Sequence, residues 1–262
     1  MFTKPEEPCK KSILNVDYSK MSCVPAGYVV LGSNRPSIDE DTGKVVHDTF
    51  PEHQVYLTSY WIDQYEVTYG EYQECVKAGI CSFAKPNYQG FSDPMQPMVG
   101  VNWYQAHEYC RWKGKRLPTE AEWEKGARGE KGEIFPWGNE PADCQKAVIK
   151  ENEKTGCGVG TTWKIGSKGA FRYNLYDMAG NAWEWVHDWY AENYEICGMD
   201  CLSHQPKGPC QGEMECYSKR KIVKGGSWWW KGEYAQGYNR RAHFPKNQPF
   251  HHFGFRCAVD GE

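Results

Sequence analysis

The segments GKRLPTEAEWEKGARG (114–129) and NLYDMAGNAWEWVHDWY (174–190) are the most distinctive stretches of the chain. The first begins with a glycine that is typical of a helix end, and Thr119 with Glu122 then forms a capping-box pair that predicts a new helix. The second lies in the region after about residue 130, where clusters of glycine, proline and polar residues predict loops and short strands. The chain is therefore predicted to contain few regular elements.

Two further helices and two strand regions are predicted upstream. Capping boxes at Thr68 with Glu71 and at Asn102 with Gln105 mark the helix starts. A short apolar run that ends in glycine (24–33) and an alternating run with Val55 and Leu57 (53–67) are typical of strands. A single buried stripe in the second helix is predicted from the spacing of Trp103, Ala106, Tyr109, Cys110 and Lys113.

Composition places the chain among globular proteins. Its 262 residues contain 31 Lys plus Arg and 34 Asp plus Glu, a formal charge of −3 that disfavours a nucleic-acid partner. Twelve Trp and 17 Tyr, with 27 Gly and 15 Pro, indicate a loop-rich domain ordered by aromatic clusters. No apolar run approaches the ~18 residues of a membrane helix. We expect one domain over 24–262, preceded by a polar arm over 1–23.

The twelve cysteines predict disulfides and an oxidising compartment: secreted, periplasmic or cell-surface. Cys75 with Cys81 and Cys144 with Cys157 bracket short loops that a disulfide would close. Zinc is the alternative for the cluster at 197, 201, 210 and 216, although its spacing does not match the CxxC pairs of structural zinc sites. The first residues lack the apolar core of a signal peptide, so either an export signal, with or without a lipid anchor, precedes residue 1 or the protein is cytosolic. The cysteines favour the first alternative.

Seven segments, in this order and spacing, resemble the formylglycine-generating enzyme (sulfatase-modifying factor) family. They are residues 24–33, 61–72, 97–129, 135–140, 174–190, 223–230 and 253–260. The resemblance implies an α+β fold: a single irregular, loop-rich domain of the C-type-lectin-like kind, stapled by disulfides. It also implies a bridge between Cys110 and Cys257. A second family bridge has lost both cysteines, because its positions are Ala127 and Arg240.

The family's enzymes use molecular oxygen and Cu(I) to oxidise a substrate cysteine to formylglycine. Two cysteines hold the copper, three and eight residues after the serine of a GGS motif, and here those positions are Trp230 and Ala235. Soft thiolates suit Cu(I), whereas an indole and a methyl group offer it no ligand. The resemblance therefore implies the fold without the copper site, and no copper is expected.

Calcium is the cofactor that the resemblance does imply. The family's ligand pattern falls on Asp177, Gly180, Ala182 and Glu184, where carboxylates and carbonyls supply the hard oxygens that Ca²⁺ prefers. The alternative is that Glu184 caps loop amides without a metal. A second family calcium site has no counterpart in residues 141–172.

The region after the GGS motif is the candidate ligand-binding groove. Flat aromatic faces with adjacent donors suit sugar or peptide recognition. The proposed groove residues are Ser227, Trp228, Trp229, Trp230, Tyr234, Tyr238, Arg241 and His243. A three-histidine metal site at 243, 251 and 252 is the disfavoured alternative, because adjacent residues of an extended segment point to opposite faces.

The leading hypothesis is a non-catalytic secreted or periplasmic module that binds an unknown protein, peptide or glycan and carries a structural calcium. One alternative is an oxidoreductase of the same family with a repurposed pocket around Ser227, Tyr234 and His243. Another is a diversified ligand-binding receptor of lectin-like fold.

Overall fold

The three capping boxes begin the three longest helices. A computed structural model describes residues 9–261 except 12, 40, 41, 85, 87 and 247–250. It contains α1 (Tyr69–Lys77), α2 (Trp103–Trp112) and α3 (Glu120–Arg128), followed by the four-residue helices α4 (Tyr194–Cys197) and α5 (Met199–Leu202). Thr68, Asn102 and Thr119 each accept the amide three residues later, which satisfies a donor that the helix start leaves free. All three predicted helices are confirmed.

The strands of the described residues are short and form four small sheets. In chain order they are β1 (Met21–Val24), β2 (Gly27–Leu31), β3 (Ser37–Ile38), β4 (Val45–Val46), β5 (His53–Leu57), β6 (Tyr60–Asp63), β7 (Trp183–Trp189), β8 (Lys221–Lys224), β9 (Arg241–His243), β10 (Phe253–Gly254) and β11 (Ala258–Asp260). The sheet orders are β1-β6-β11, β10-β7-β8-β9, β2-β5 and β3-β4. Because β1 begins at Met21, the last residues of the predicted arm already belong to a sheet.

Aromatic side chains fill the core, as the composition indicates. Trp103, Trp123, Trp183 and Trp185 are completely or almost completely buried. The indole N–H of Trp103 donates to the carbonyl of Val186 at 2.8 Å, so burial does not leave this donor unpaired. This contact links α2 to β7, which is one of the two inner strands of the largest sheet.

Six disulfides use all twelve cysteines. The pairs are Cys9–Cys23, Cys75–Cys81, Cys110–Cys257, Cys144–Cys157, Cys197–Cys201 and Cys210–Cys216. They include the two loop closures proposed from spacing and the bridge implied by the resemblance. The last two pairs occupy the four cysteines considered for zinc, so the zinc alternative is wrong. The structure confirms a disulfide-stapled, loop-rich α+β domain.

A buried ion-pair network surrounds α3. Arg240, at the position of the lost family bridge, is 7% exposed and donates from Nε to Glu120 Oε1 at 2.8 Å. Lys224 Nζ lies 2.9 Å from Glu124 Oε2, and Arg128 also pairs with Glu124. Charged groups at such depth require partners, and here each has one in a hydrogen-bonded ion pair. In the part of the chain that the structure describes, no helix is long and apolar enough to cross a membrane.

Candidate functional site

Strand β8 leads directly into the GGS motif, whose backbone is bent by two glycines with positive φ. Gly226 has φ 74°, and a Cβ added to it would lie 2.8 Å from the Cα of Ala235. Only a residue without a side chain permits this approach. The turn therefore holds residues 227–230 close to the 3₁₀ segment Gly232–Ala235.

An indole and a methyl group lie where the family resemblance places copper ligands. The Trp230 ring is half-buried, 5.7 Å from the Tyr234 ring and 5.4 Å from the Arg241 guanidinium carbon. Ala235 is completely buried in a small cluster with Ala147, Ile149 and Ala179. Every cysteine of the chain is engaged in a disulfide, so no free thiol accompanies these two residues.

Fewer of the predicted groove residues reach the surface than the sequence suggests. Trp229 is 45% exposed, and Trp230 and Tyr234 are half-buried, so these three side chains reach the surface. Tyr238 is 2% exposed and packs 5.2 Å from the guanidinium of Arg128. The Tyr238 side chain therefore belongs to the core around α3 and does not reach the surface.

The other groove residues are also largely enclosed. Ser227, Trp228, Arg241 and His243 are all buried. The Ser227 hydroxyl and the Trp230 indole N–H have no hydrogen-bond partner among the described residues. These two atoms are the polar groups at the turn that a bound water or ligand could satisfy.

Aromatic residues from a distant loop extend the surface beside Trp229. Tyr88 is 64% exposed and its ring lies 4.4 Å from that of His251. The His251 ring lies 5.5 Å from Trp228, which in turn contacts Trp229 at 5.3 Å. Tyr88, Trp229, Trp230, Tyr234 and His251 are called the aromatic surface below. Sequence reasoning missed Tyr88 because it lies far from the GGS motif in the chain.

The histidines of this region do not form a metal centre. His243 and His252 lie on the Phe253 ring, at 4.9 and 5.0 Å, and both are buried. Burial, together with the nearby Arg241 guanidinium, lowers the pKa of His252 to about 2. Within the described residues, no three histidine, cysteine, aspartate or glutamate side chains are placed to share a metal ion.

The loop proposed for calcium carries two carboxylates that neighbouring groups already contact. Asp177 accepts the amide of Gly166 at 2.6 Å. Glu184 is completely buried and accepts from Arg256 at 2.6 and 2.7 Å and from the Trp123 indole at 2.8 Å. A metal ion there would take its remaining ligands from backbone carbonyls such as those of Gly180 and Ala182.

A third carboxylate, which sequence reasoning missed, lies beside this loop. Glu66 accepts the side-chain amide of Asn181 at 2.7 Å and the backbone amide of Ala182 at 3.1 Å. Burial raises the pKa of Glu66 well above its usual range, and Asp177 and Glu184 raise it further. Burial also raises the pKa of Asp177 to about 6. Three carboxyl groups thus lie close together, and Arg256 is hydrogen-bonded to one of them, Glu184.

Two clefts open away from the groove residues. The larger has a volume of about 910 Å³ and is bounded by the N-terminal arm, the start of α1 and the end of α2. The smaller has a volume of about 290 Å³ and is lined by residues that include Arg116, His187 and Lys207. None of the eight residues proposed for the groove lines either cleft.

Comparison with known proteins agrees with this architecture. Residues 7–261 match the family model described as sulfatase-modifying factor enzyme 1-like domain. The formylglycine-generating enzyme of Bos taurus is 30% identical over 92% of this chain and 75% of its own length. A Chlamydia caviae protein named serine/threonine-protein kinase pkn1 is also 30% identical over 92% of this chain, which spans 38% of that protein. The structure of PvdO from Pseudomonas aeruginosa superimposes with a TM-score of 0.73 and 26% identity, covering 99% of this chain and 100% of PvdO. The chain belongs to the formylglycine-generating enzyme (sulfatase-modifying factor) family.

Proposed function

We propose that this chain is a non-catalytic binding or interaction module on the formylglycine-generating enzyme fold, acting in a secreted, periplasmic or cell-surface setting. The observation that carries the proposal is the pair Trp230 and Ala235, at the positions of the family's copper-binding cysteines. The six disulfides support an oxidising compartment.

The chemistry of metal ligands supports the absence of a copper-dependent reaction. Cu(I) is a soft ion that selects thiolate and thioether ligands. The indole of Trp230 and the methyl group of Ala235 donate no electron pair to it, and Ala235 is fully buried. A thiolate from elsewhere would require the opening of a disulfide. The module would therefore keep the fold and lose the reaction.

The aromatic surface is the proposed contact for a ligand. Tyr88 and Trp229 present exposed rings, and Trp230 with Tyr234 adds half-buried ones. Rings of this kind stack on the apolar face of a sugar or on a peptide side chain, and tyrosine and tryptophan dominate binding energy at interfaces.

We also propose that a structural calcium ion belongs to the loop at 177–184. Glu66 and Asp177 support it, because burial raises the pKa of both carboxyls and a hard cation bound beside them would stabilise their charged form. Asp177 would supply a side-chain oxygen, and Gly180 and Ala182 would supply carbonyls. The ion would fix the loop in place, and Glu66 would help by accepting the Asn181 side-chain amide and the Ala182 backbone amide.

The decisive experiment compares the protein with a variant that regains both thiols, Trp230→Cys/Ala235→Cys. Under anaerobic competition with a chromogenic Cu(I) chelator, the parent should leave the copper with the chelator and the double variant should remove about one equivalent. Trp229→Cys/Ala235→Cys is the matched control, because it also adds two cysteines but places one of them one position away from residue 230. The parent should also produce no formylglycine from a CxPxR peptide in the presence of Cu(I). Turnover by the parent contradicts the proposal.

The second candidate function is an oxidoreductase with a repurposed pocket. The unpartnered Ser227 hydroxyl and Trp230 indole N–H favour it, because buried polar atoms without partners often await a ligand. Metal analysis of the purified protein separates the two functions. Stoichiometric iron or copper supports the enzyme, and calcium alone supports the binding module.

A further inference from the structure

The larger cleft has the size of a small-molecule site and is built from parts that are distant in the chain. Its volume of about 910 Å³ falls within the ~300–1,000 Å³ of typical ligand pockets. The arm contributes Asn15, Asp17 and Lys20, and the opposite wall comes from the end of α2 and from the loops at 94–95 and 165–166.

The arm is fixed firmly enough to form a wall. The Cys9–Cys23 disulfide closes it at its base. The Trp61 indole donates to the carbonyl of Lys10 at 3.1 Å, and the Gln64 amide donates to that of Lys20 at 2.9 Å. The cleft is therefore a feature of the folded domain and includes a segment that precedes its first strand.

Three of the carboxylates that line the cleft are each engaged by donors of the fold itself. Both oxygens of Asp63 are used, by Lys115 at 2.6 Å and by the Cys257 amide at 2.9 Å. Both oxygens of Glu71 are used as well, by Thr68 and Lys20. Glu66 is occupied by two amides. The fourth carboxylate, Asp17, lies exposed at the rim, where water solvates it.

The lysines of the cleft, in contrast, keep unused donors. A lysine ammonium has three N–H donors. Lys20 donates to Glu71 and Lys115 donates to Asp63, each through one bond. Lys113 lies 4.0 Å over the Trp112 ring, and among the described residues it has no carboxylate partner. The unused N–H donors of these three lysines can therefore contact an anionic group in the cleft.

Apolar groups line the remainder. Val67, Pro94, Met95 and Ile165 face this space, and the Tyr65 ring, stacked 4.5 Å from Tyr176, adds a flat wall. Met95 is 49% exposed, so a ligand that covers it removes apolar surface from water.

We propose that this cleft binds an amphipathic organic anion, whose carboxylate, sulfonate or phosphate head contacts Lys20, Lys113 and Lys115 and whose apolar body lies against Met95, Ile165 and Tyr65. This site goes beyond the proposed function and does not depend on it. The loss of copper chemistry and the aromatic surface concern other residues.

The test uses two fluorescent probes that differ mainly in charge, 1-anilinonaphthalene-8-sulfonate and uncharged N-phenyl-1-naphthylamine. The parent should bind the sulfonate about tenfold more tightly than the neutral probe, since charge-assisted hydrogen bonds are the stronger kind. The double variant Lys20→Gln/Lys113→Gln should bring the ratio of the two affinities close to one. Lys77 is an exposed lysine at the end of α1, and Lys77→Gln should leave the ratio unchanged. Met95→Ser should lower the affinity for both probes.

Competition identifies the head group and keeps the proposal falsifiable. Displacement of the sulfonate by decanoate supports a carboxylate ligand, and displacement by decyl phosphate supports a phosphate ligand. Equal affinity for the two fluorescent probes, or an unchanged ratio in the double lysine variant, would overturn the proposal. The proposal would also be overturned if neither decanoate nor decyl phosphate displaced the sulfonate probe. Unchanged thermal unfolding of the variants verifies that they are folded.

Discussion

Replacement of Arg240 by methionine tests whether the buried ion pairs take over the role of a lost disulfide. Arg240 Nε donates to Glu120 at 2.8 Å, and its Nη1 donates to the carbonyls of Asp48 and Ala191 at 2.6 and 3.0 Å. Its guanidinium carbon lies 5.0 Å from the Tyr190 ring and 4.6 Å from the Tyr194 ring. One side chain, directly before β9, thus joins α3 to the loop before β5 and to the loop after β7.

The expected loss is large because the partners stay buried. Glu120 is 3% exposed, and after the substitution its nearest cation is Lys224 Nζ at 3.4 Å. Removal of one member of a buried pair costs about 3–5 kcal/mol, whereas methionine recovers part of the packing around the rings. We expect Arg240→Met to lower the free energy of unfolding by about 3 kcal/mol, which lowers the melting temperature by roughly 6–12 °C in a domain of this size.

Urea unfolding without reductant measures this loss, with tryptophan fluorescence as the signal. Lys20→Met is the matched control, because the Lys20–Glu71 pair has side chains that are 69% and 36% exposed. That control should change stability by less than about 1 kcal/mol. If Arg240→Met loses no more than Lys20→Met, the network does not brace the fold and the reasoning is refuted.

Two further predictions concern protons and calcium. Burial, together with the nearby Lys221 ammonium, lowers the pKa of His187 from 6.5 to about 3. Between pH 6.5 and about 3, His187 is therefore protonated in the unfolded chain and neutral in the folded chain. The free energy of unfolding falls as pH decreases through this range. His187→Gln should flatten this fall when urea midpoints are measured from pH 7 to pH 4, and an unchanged slope contradicts the assignment. Removal of calcium with a selective chelator should lower the melting temperature, since an ion at 100 times its dissociation constant stabilises by about 2.7 kcal/mol. Asp177→Ala should abolish the calcium-dependent shift, and a shift of parental size in that variant excludes the loop at 177–184.

Local signals account for the parts of the fold that the sequence predicts. A capping box involves residues three apart, so Thr119 with Glu122 can be identified without knowledge of the rest of the molecule. The short disulfide Cys75–Cys81 follows from loop length in the same way. The bridge Cys110–Cys257 spans 147 residues and was expected only through family resemblance.

The candidate sites depend on contacts that sequence spacing does not encode. Tyr238 lies near the groove residues in the chain, but the approach of Arg128 places its ring in the core. Glu66 contacts Asn181, 115 residues away, and no local pattern links them. The larger cleft needs the arm and the end of α2 to meet, so it emerges only from the folded chain.

The brace at Arg240 contains no sulfur, unlike the bridge that the family resemblance assigns to its position. Glutathione can open a disulfide by thiol exchange, but it has no chemistry with a guanidinium–carboxylate pair. If a reductant opened the disulfides, this electrostatic link between α3 and the residue before β9 would therefore remain.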